Sequence, residues 1–189
     1  MGNREDLLAG ARKAIMERGV AKTTARDIAA AAGVSLAAIG YHFGSKERLI
    51  TEALAEALGS GIGDGMEALI RATKGRPMPE AFASMLNGLP SIFAENREGM
   101  LASMENLLRV ARSAESQTFM AENLPHAYAD IATALRETHP ELTAEQADAV
   151  AELYFTLTQG LSVLWLINPD GTVPDGDRFA AAWQAITPG

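Results

Sequence analysis

The chain has 189 residues, 48% of them hydrophobic and 21% charged, with no cysteine and a formal net charge of −8. That is enough apolar content for one large or two small domains, and it excludes disulfides and thiolate metal sites. The longest candidate apolar run, residues 161–167, falls short of the roughly 20 residues of a membrane span, and the opening MGNREDLL carries acids instead of the apolar centre of a secretory signal. The expectation is a cytoplasmic protein with no membrane partner.

The charge is unevenly distributed. Residues 1–50 hold eight Lys/Arg and five Asp/Glu, a net +3, whereas the rest hold eight and nineteen, a net −11. A basic head on an acidic body directs a polyanion such as DNA to one end; ordinary surface variation gives the same count.

Helical periodicity runs through the chain, and β-type alternation is absent. Leu7, Leu8, Ala11, Ala14 and Ile15 form a 3.6-period stripe over 3–18, which Gly19 ends as a C′ glycine. Thr24 opens the second helix, with Asp27 three residues on making a capping-box pattern. Ile28, Ala29 and Ala32 are its buried face, and Gly33 stops it. Ser35 is placed to cap a third helix over 36–43 and Ser45 a fourth. The segment 59–65, GSGIGDG, is expected to break or loosen that fourth helix. It divides a helix-turn-helix head, 1–58, from a helical body, 59–189. Body helices are expected near 66–74, 79–94, 98–113, 116–138, 143–167 and 176–186, with Pro77, Pro79, Pro125, Pro140, Pro169 and Pro174 at or near their ends. The fold class is all-α: an N-terminal three-helix head and a larger effector-binding and dimerisation body, about nine to ten helices in all.

Two short helices joined by a tight Gly turn are the layout whose second helix enters the DNA major groove. Ile28, Ala29, Val34, Ile39 and Phe43 hold the pair at a fixed angle. The outward positions of the third helix are Leu36, Ala37, Ala38, Gly40, Tyr41 and His42. Most are small, so the backbone can approach base edges, and Ala can touch a thymine methyl. Tyr41 and His42 can hydrogen-bond a phosphate or a base edge. Lys46 and the amides at the start of the fourth helix make an anion site. Thr24 and Arg26 are placed to hold the opposite backbone.

The run TARDIAAAAGVS from Thr24, followed by IGYHFGSKERL from Ile39, resembles the DNA-binding head of the TetR family of transcriptional regulators across about residues 5–58. The resemblance implies a homodimer whose two heads read a palindromic double-stranded operator, usually as a repressor, with a small molecule in the body releasing DNA. It places backbone contacts at Thr24, Tyr41 and Lys46 and base contacts at Ser35, Leu36, Ala37, Ala38 and His42. Two positions depart from the family pattern: Ala37 stands where Gly is usual, and Gly40 where an aromatic is frequent. The alternative is a helical ligand- or protein-binding module whose head does not regulate transcription.

In the body, residues 142–167 form the strongest helix, with Ala147, Val150, Ala151, Tyr154, Leu157, Leu161, Leu164 and Trp165 at three- and four-residue steps and an end apolar nearly all round, which calls for burial on several sides. With 116–138 it makes either a monomer's core or a four-helix dimer interface, with Tyr154, Leu157, Gly160, Leu161, Leu164 and Trp165 on the contact face. Phe82, Met85, Leu86, Leu89, Phe93, Met100, Met104, Leu107 and Leu108 line a cavity for a largely apolar effector or fill an ordinary core. Arg109 and Arg112, one turn apart, meet an anionic ligand or face solvent. His42, His126 and His139 are dispersed, and no catalytic or phosphate-loop motif appears. No catalytic residue, metal or cofactor is expected.

Overall fold

The computed structural model describes residues 3–168 and 172–186. Pro169 and the first two residues of the acidic N-terminal stretch lie outside them. The described residues form helices joined by turns, without a strand: α1 (Asn3–Arg18), α2 (Ala25–Ala32), α3 (Ala37–Phe43), α4 (Lys46–Leu58), a π-helical turn (Gly59–Gly63), α5 (Asp64–Arg71), α6 (Met78–Glu95), α7 (Arg97–Val110), α8 (Ala114–Thr138), α9 (Ala144–Ile167) and α10 (Gly176–Ile186).

Local chemistry accounts for most boundaries. Gly19, at φ 76°, closes α1 with its N–H on the Ile15 carbonyl at 2.8 Å. Thr143 caps α9 through a reciprocal bond with Gln146, a capping box. Two expectations are corrected, and a third is narrowed: the glycine run after α4 loosens the helix without breaking it, as a widened π turn, where Gly61 faces Asn96 so closely that a Cβ would collide with the side-chain amide. Pro125 does not end a helix but lies inside α8, where it lacks the N–H for one backbone bond; Pro90 lies likewise inside α6. Ser35 makes no cap. The N-cap of α3 is Leu36, with no side-chain bond.

The chain forms two compact units, Met1–Gly59 with Glu98–Leu124, and Ser60–Arg97 with Pro125–Gly189. The unit holding the head is therefore larger than the segment 1–58, because α7 and the start of α8 return to it from far along the chain. Leu7, Ala11, Ile15, Val20, Ile28, Ile39, Phe43, Leu49, Ile50 and Leu54 form one core, to which α7 adds Ala102. On α7 the buried Asn106 donates to Thr51 Oγ1 on α4 at 3.1 Å.

In the second unit α6 lies against α5, α9 and α10. Met85, Leu86, Leu89 and Phe93 of α6 are buried, as are Met66 and Ile70 of α5, Ile131 and Leu135 of α8, and Ala151, Tyr154 and Leu161 of α9. Buried His139 lies 2.9 Å from Thr73 Oγ1 through Nε2. The Thr73 hydroxyl donates to the Ile70 carbonyl at 2.6 Å, and Nδ1 of the same ring lies 3.3 Å from Glu141 Oε1. The histidine thus ties the end of α8 to the turn after α5. By length and composition Ala144–Ile167 is apolar enough to span a bilayer, which counting contiguous apolar runs had not indicated. It carries a buried stripe of Ala147, Ala151, Tyr154, Thr158, Leu161 and Ser162, while Leu153, Val163, Leu164 and Ile167 are exposed. Burial of its apolar end on several sides therefore does not hold within the single chain.

Candidate nucleic-acid interface

The site is assembled on the turn between α1 and α2, on α3, and on the start of α4. Thr24 has an extended backbone, φ −100° and ψ 160°, and receives the Asp27 N–H on its hydroxyl. Its own N–H and hydroxyl both donate to Asp27 Oδ2, at 2.9 and 2.6 Å. These bonds to Thr24, with Arg18 3.6 Å away, hold the Asp27 carboxyl below its ordinary value of 3.8. Gly33 ends α2 at φ 68°, with left-handed backbone that a residue without a Cβ adopts freely. The chain then reverses into α3.

On α3, Ile39 and Phe43 are buried beneath, while Leu36, Ala37, Gly40 and Tyr41 face out. Tyr41 is 85% exposed, with its ring set edge-on to that of His42, 4.8 Å between centroids. An added Cβ on Gly40 would meet open space, so no neighbour in the chain requires a glycine there. Two outward assignments change: Ala38 is buried as part of the head's core, and His42 is half-buried.

Ser45 caps α4 by accepting the Arg48 N–H at 3.1 Å and donates to Glu115 at 3.0 Å. The Lys46 ammonium donates to the Thr23 carbonyl at 3.2 Å and lies 3.5 Å from Glu47. It is thereby held across from α4 onto the turn that leads to Thr24. Thr24, Arg26 and Ser35 are exposed.

The positive charge of the head is largely spoken for. Arg4 pairs with Glu52, Arg12 with Glu56, Arg18 with Asp27, Arg48 with Glu52 and Lys46 with Glu47. Among the described residues Lys13, Lys22 and Arg26 make no ion pair, and all three are exposed. Lys22 and Arg26 flank Thr24, so unneutralised charge concentrates where α2 begins. Lys22 was missing from the sequence-derived set because its value depends on which of its basic neighbours are paired.

The residues read as an effector cavity divide between the two units. Phe82, Met85, Leu86, Leu89 and Phe93 belong to the second unit, and Met100, Met104, Leu107 and Leu108 to the first. Leu107 and Leu108 are 53% and 64% exposed, so they face solvent in this chain. Phe82 packs on Tyr154 at 5.7 Å and Phe93 on Trp165 at 6.1 Å. Burial raises the Tyr154 phenol above its usual range. Of the six residues assigned to a dimer face, Tyr154 and Leu161 are buried inside the unit, Leu157 and Trp165 are half-buried, and Gly160 and Leu164 are exposed. Tyr154 and Leu161 therefore serve the core of their own chain. Arg109 is half-buried, with Nη1 lacking a hydrogen-bond partner, and Arg112 is exposed. Among the described residues no group of acidic or histidine side chains has a metal-binding arrangement.

Residues 7–59 match the family model described as bacterial regulatory proteins, tetR family. Over its length the chain is 26% identical to the HTH-type transcriptional regulator TtgR of Pseudomonas putida, covering 92% of this chain and 85% of that protein. Two solved structures share the fold. A protein from Rhodococcus sp. RHA1 has a TM-score of 0.67 at 19% identity, covering 98% of this chain and 95% of its own. The multidrug binding protein EbrR, solved with imidazole, has a TM-score of 0.65 at 19% identity, covering 100% and 97%.

Proposed function

The chain belongs, through residues 7–59, to the tetR family of bacterial regulatory proteins and is a DNA-binding transcriptional regulator; on that premise we propose that it is a cytoplasmic homodimeric repressor, released from a palindromic operator by a largely apolar small molecule. The observation that carries the DNA-reading part is the exposed face of α3. Tyr41 stands out from the protein at 85% exposure, beside Gly40 and Ala37, at the end of a capped and glycine-turned α2. Small residues let the α3 backbone approach the floor of a major groove, where Leu36, Ala37, Gly40 and His42 meet base edges and Tyr41 a phosphate. Ala38 supports that face from beneath. Thr24, Arg26 and Ser35, with Lys46 at the start of α4, grip the flanking phosphates, which orients the reading helix without itself specifying sequence.

Leu164 and Gly160 on the exposed side of α9 serve the dimer, together with Leu153, Val163 and Ile167. A contiguous apolar stripe left in water is the ordinary mark of an association surface, and a two-fold dimer would set two heads on two half-sites of a palindrome. The effector is assigned to the aromatic, methionine and leucine side chains of α6: Phe82, Met85, Leu86, Leu89 and Phe93. EbrR is a multidrug binding protein, and that likeness supports an apolar ligand here. No catalytic role is assigned to any residue.

Selection of duplexes from a randomised pool by the purified protein tests the DNA reading. Recovered duplexes should share an inverted repeat and bind far more tightly than random duplex at moderate salt. Equal affinity for both would end this reading.

A further inference from the structure

Glu105 lies on α7, more than eighty residues along the chain from the head, yet its carboxylate closes on the turn that precedes α2. Oε1 accepts the Ala21 N–H at 2.8 Å and Oε2 the Val20 N–H at 3.2 Å. The two amides are consecutive and follow Gly19, whose positive φ of 76° turns them to one side, the geometry in which successive backbone N–H groups hold an anion. The carboxylate is presented there by a fixed element. One helical face of α7 carries Ala102, Glu105 and Asn106. Ala102 is part of the head's core, and Asn106 makes its buried bond to Thr51.

The turn that Glu105 holds is also the one the DNA contacts depend on. Thr23 in this turn is buried and anchors it by donating from its hydroxyl to the Gly19 carbonyl at 2.8 Å. Its carbonyl accepts the Lys46 ammonium. Thr24 caps α2, and the unpaired Lys22 lies between them and Ala21. We propose that Glu105 is a positioning residue for DNA reading: by clasping the Val20 and Ala21 amides it sets where Thr24 and Lys46 meet the phosphates, and so sets the affinity for the specific sequence. This rests on the DNA-binding reading above.

A simple electrostatic role makes the opposite forecast. Removing a negative charge near a DNA face strengthens binding to every duplex and does so equally for any neutral substitute. Positioning makes the substitutes differ, since Gln retains one acceptor for the two amides and Ala none.

The test measures binding of wild type, Glu105→Gln and Glu105→Ala to a duplex recovered by selection and to a random duplex, below the unfolding temperature of each variant. Glu105→Ala should weaken binding to the selected duplex by about tenfold, in line with the loss of hydrogen bonds to a charged group, with Glu105→Gln between it and wild type. Binding to random duplex should weaken as well, since Thr24 and Lys46 meet phosphates that every duplex carries. In a Lys46→Ala background the Glu105→Ala loss should shrink, the non-additivity expected of groups acting through one another. Amide exchange at Val20 and Ala21 should accelerate in the Ala variant. A wild type that prefers no sequence would overturn this proposal together with the DNA-binding reading. A wild type that binds selectively while both variants bind the selected duplex unchanged, or more tightly, would overturn this proposal alone. Full additivity with Lys46→Ala would do the same.

Discussion

Gly10 on α1 and Ala32 on α2 stand so close that a Cβ added at Gly10 would lie 2.8 Å from the Ala32 Cβ and 2.9 Å from the Ile28 carbonyl oxygen. The contact sets how near α2 comes to α1, and through the glycine turn it sets the angle of α3. Gly10→Ala removes an unfavourable helix residue, so local propensity alone forecasts a gain in stability. The contact is with backbone as well as side chain, and it cannot yield cheaply. The expected outcome is destabilisation by about 1–3 kcal/mol, read from urea unfolding. A variant as stable as wild type would show that α1 and α2 can part without loss.

Gly40 presents the reverse case. Its added Cβ meets nothing within the chain, and glycine in a helix interior is less favourable than alanine by about 1 kcal/mol. Gly40→Ala should therefore raise the melting temperature while weakening binding to a selected duplex, because in the proposed reading the methyl would stand between the α3 backbone and the bases. An increase in both quantities would remove Gly40 from the contact face.

In the proposed reading Lys46 supplies a single phosphate contact. Lys46→Ala should weaken binding to selected and random duplexes alike and lower the slope of log K against log salt by about 1. A loss confined to one sequence would assign Lys46 to base reading instead.

The capping box of α2 is a pH-dependent device. The folded Asp27 carboxyl is held below its ordinary value of 3.8, first by the Thr24 hydroxyl, then by the Thr24 N–H and Arg18. A carboxyl with a depressed folded value contributes stability that is complete above the unfolded value and lost as pH falls through the folded one. The difference in melting temperature between wild type and Asp27→Asn should therefore be full at pH 7 and close progressively below about pH 4. A difference independent of pH would mean that the neutral Asn holds Thr24 equally well. Thr24→Ala removes the cap itself and should lower stability by about 1 kcal/mol.

Leu164 is 44% exposed on the outer side of α9. Leu164→Glu places a charge within the apolar stripe shared with Leu153, Val163 and Ile167. It should shift sedimentation toward the monomer at micromolar concentration without loss of helicity. A variant that remains as dimeric as wild type would move the association surface elsewhere.

Legibility differed between the parts of this protein. The head's boundaries could be read locally, because caps and stops act within one turn. Thr24 with Asp27, Ser45 with Arg48, and the left-handed glycines at 19 and 33 each satisfy backbone groups three or four residues away. The interior position of Pro125 in α8 escaped local reading, since proline reports a propensity that packing overrides. The candidate site was legible as a segment but not in detail. Ala38 and Tyr41 lie three residues apart on one short helix, yet one is buried and the other 85% exposed, a difference set by what lies beneath α3.

By itself the sequence determined an all-helical chain, a helix-turn-helix between Thr24 and Lys46, and the act of reading DNA that goes with it. Periodicity, capping and glycine placement are short-range, and they survive in one dimension. The tertiary structure alone decided which basic residues remain unneutralised, how closely α1 and α2 approach at Gly10, and that α7 returns to the head. The bond from the Glu105 carboxylate to the Val20 and Ala21 amides joins residues whose separation in sequence carries no periodic signal. Only the folded chain brings that anion to the two N–H groups it satisfies.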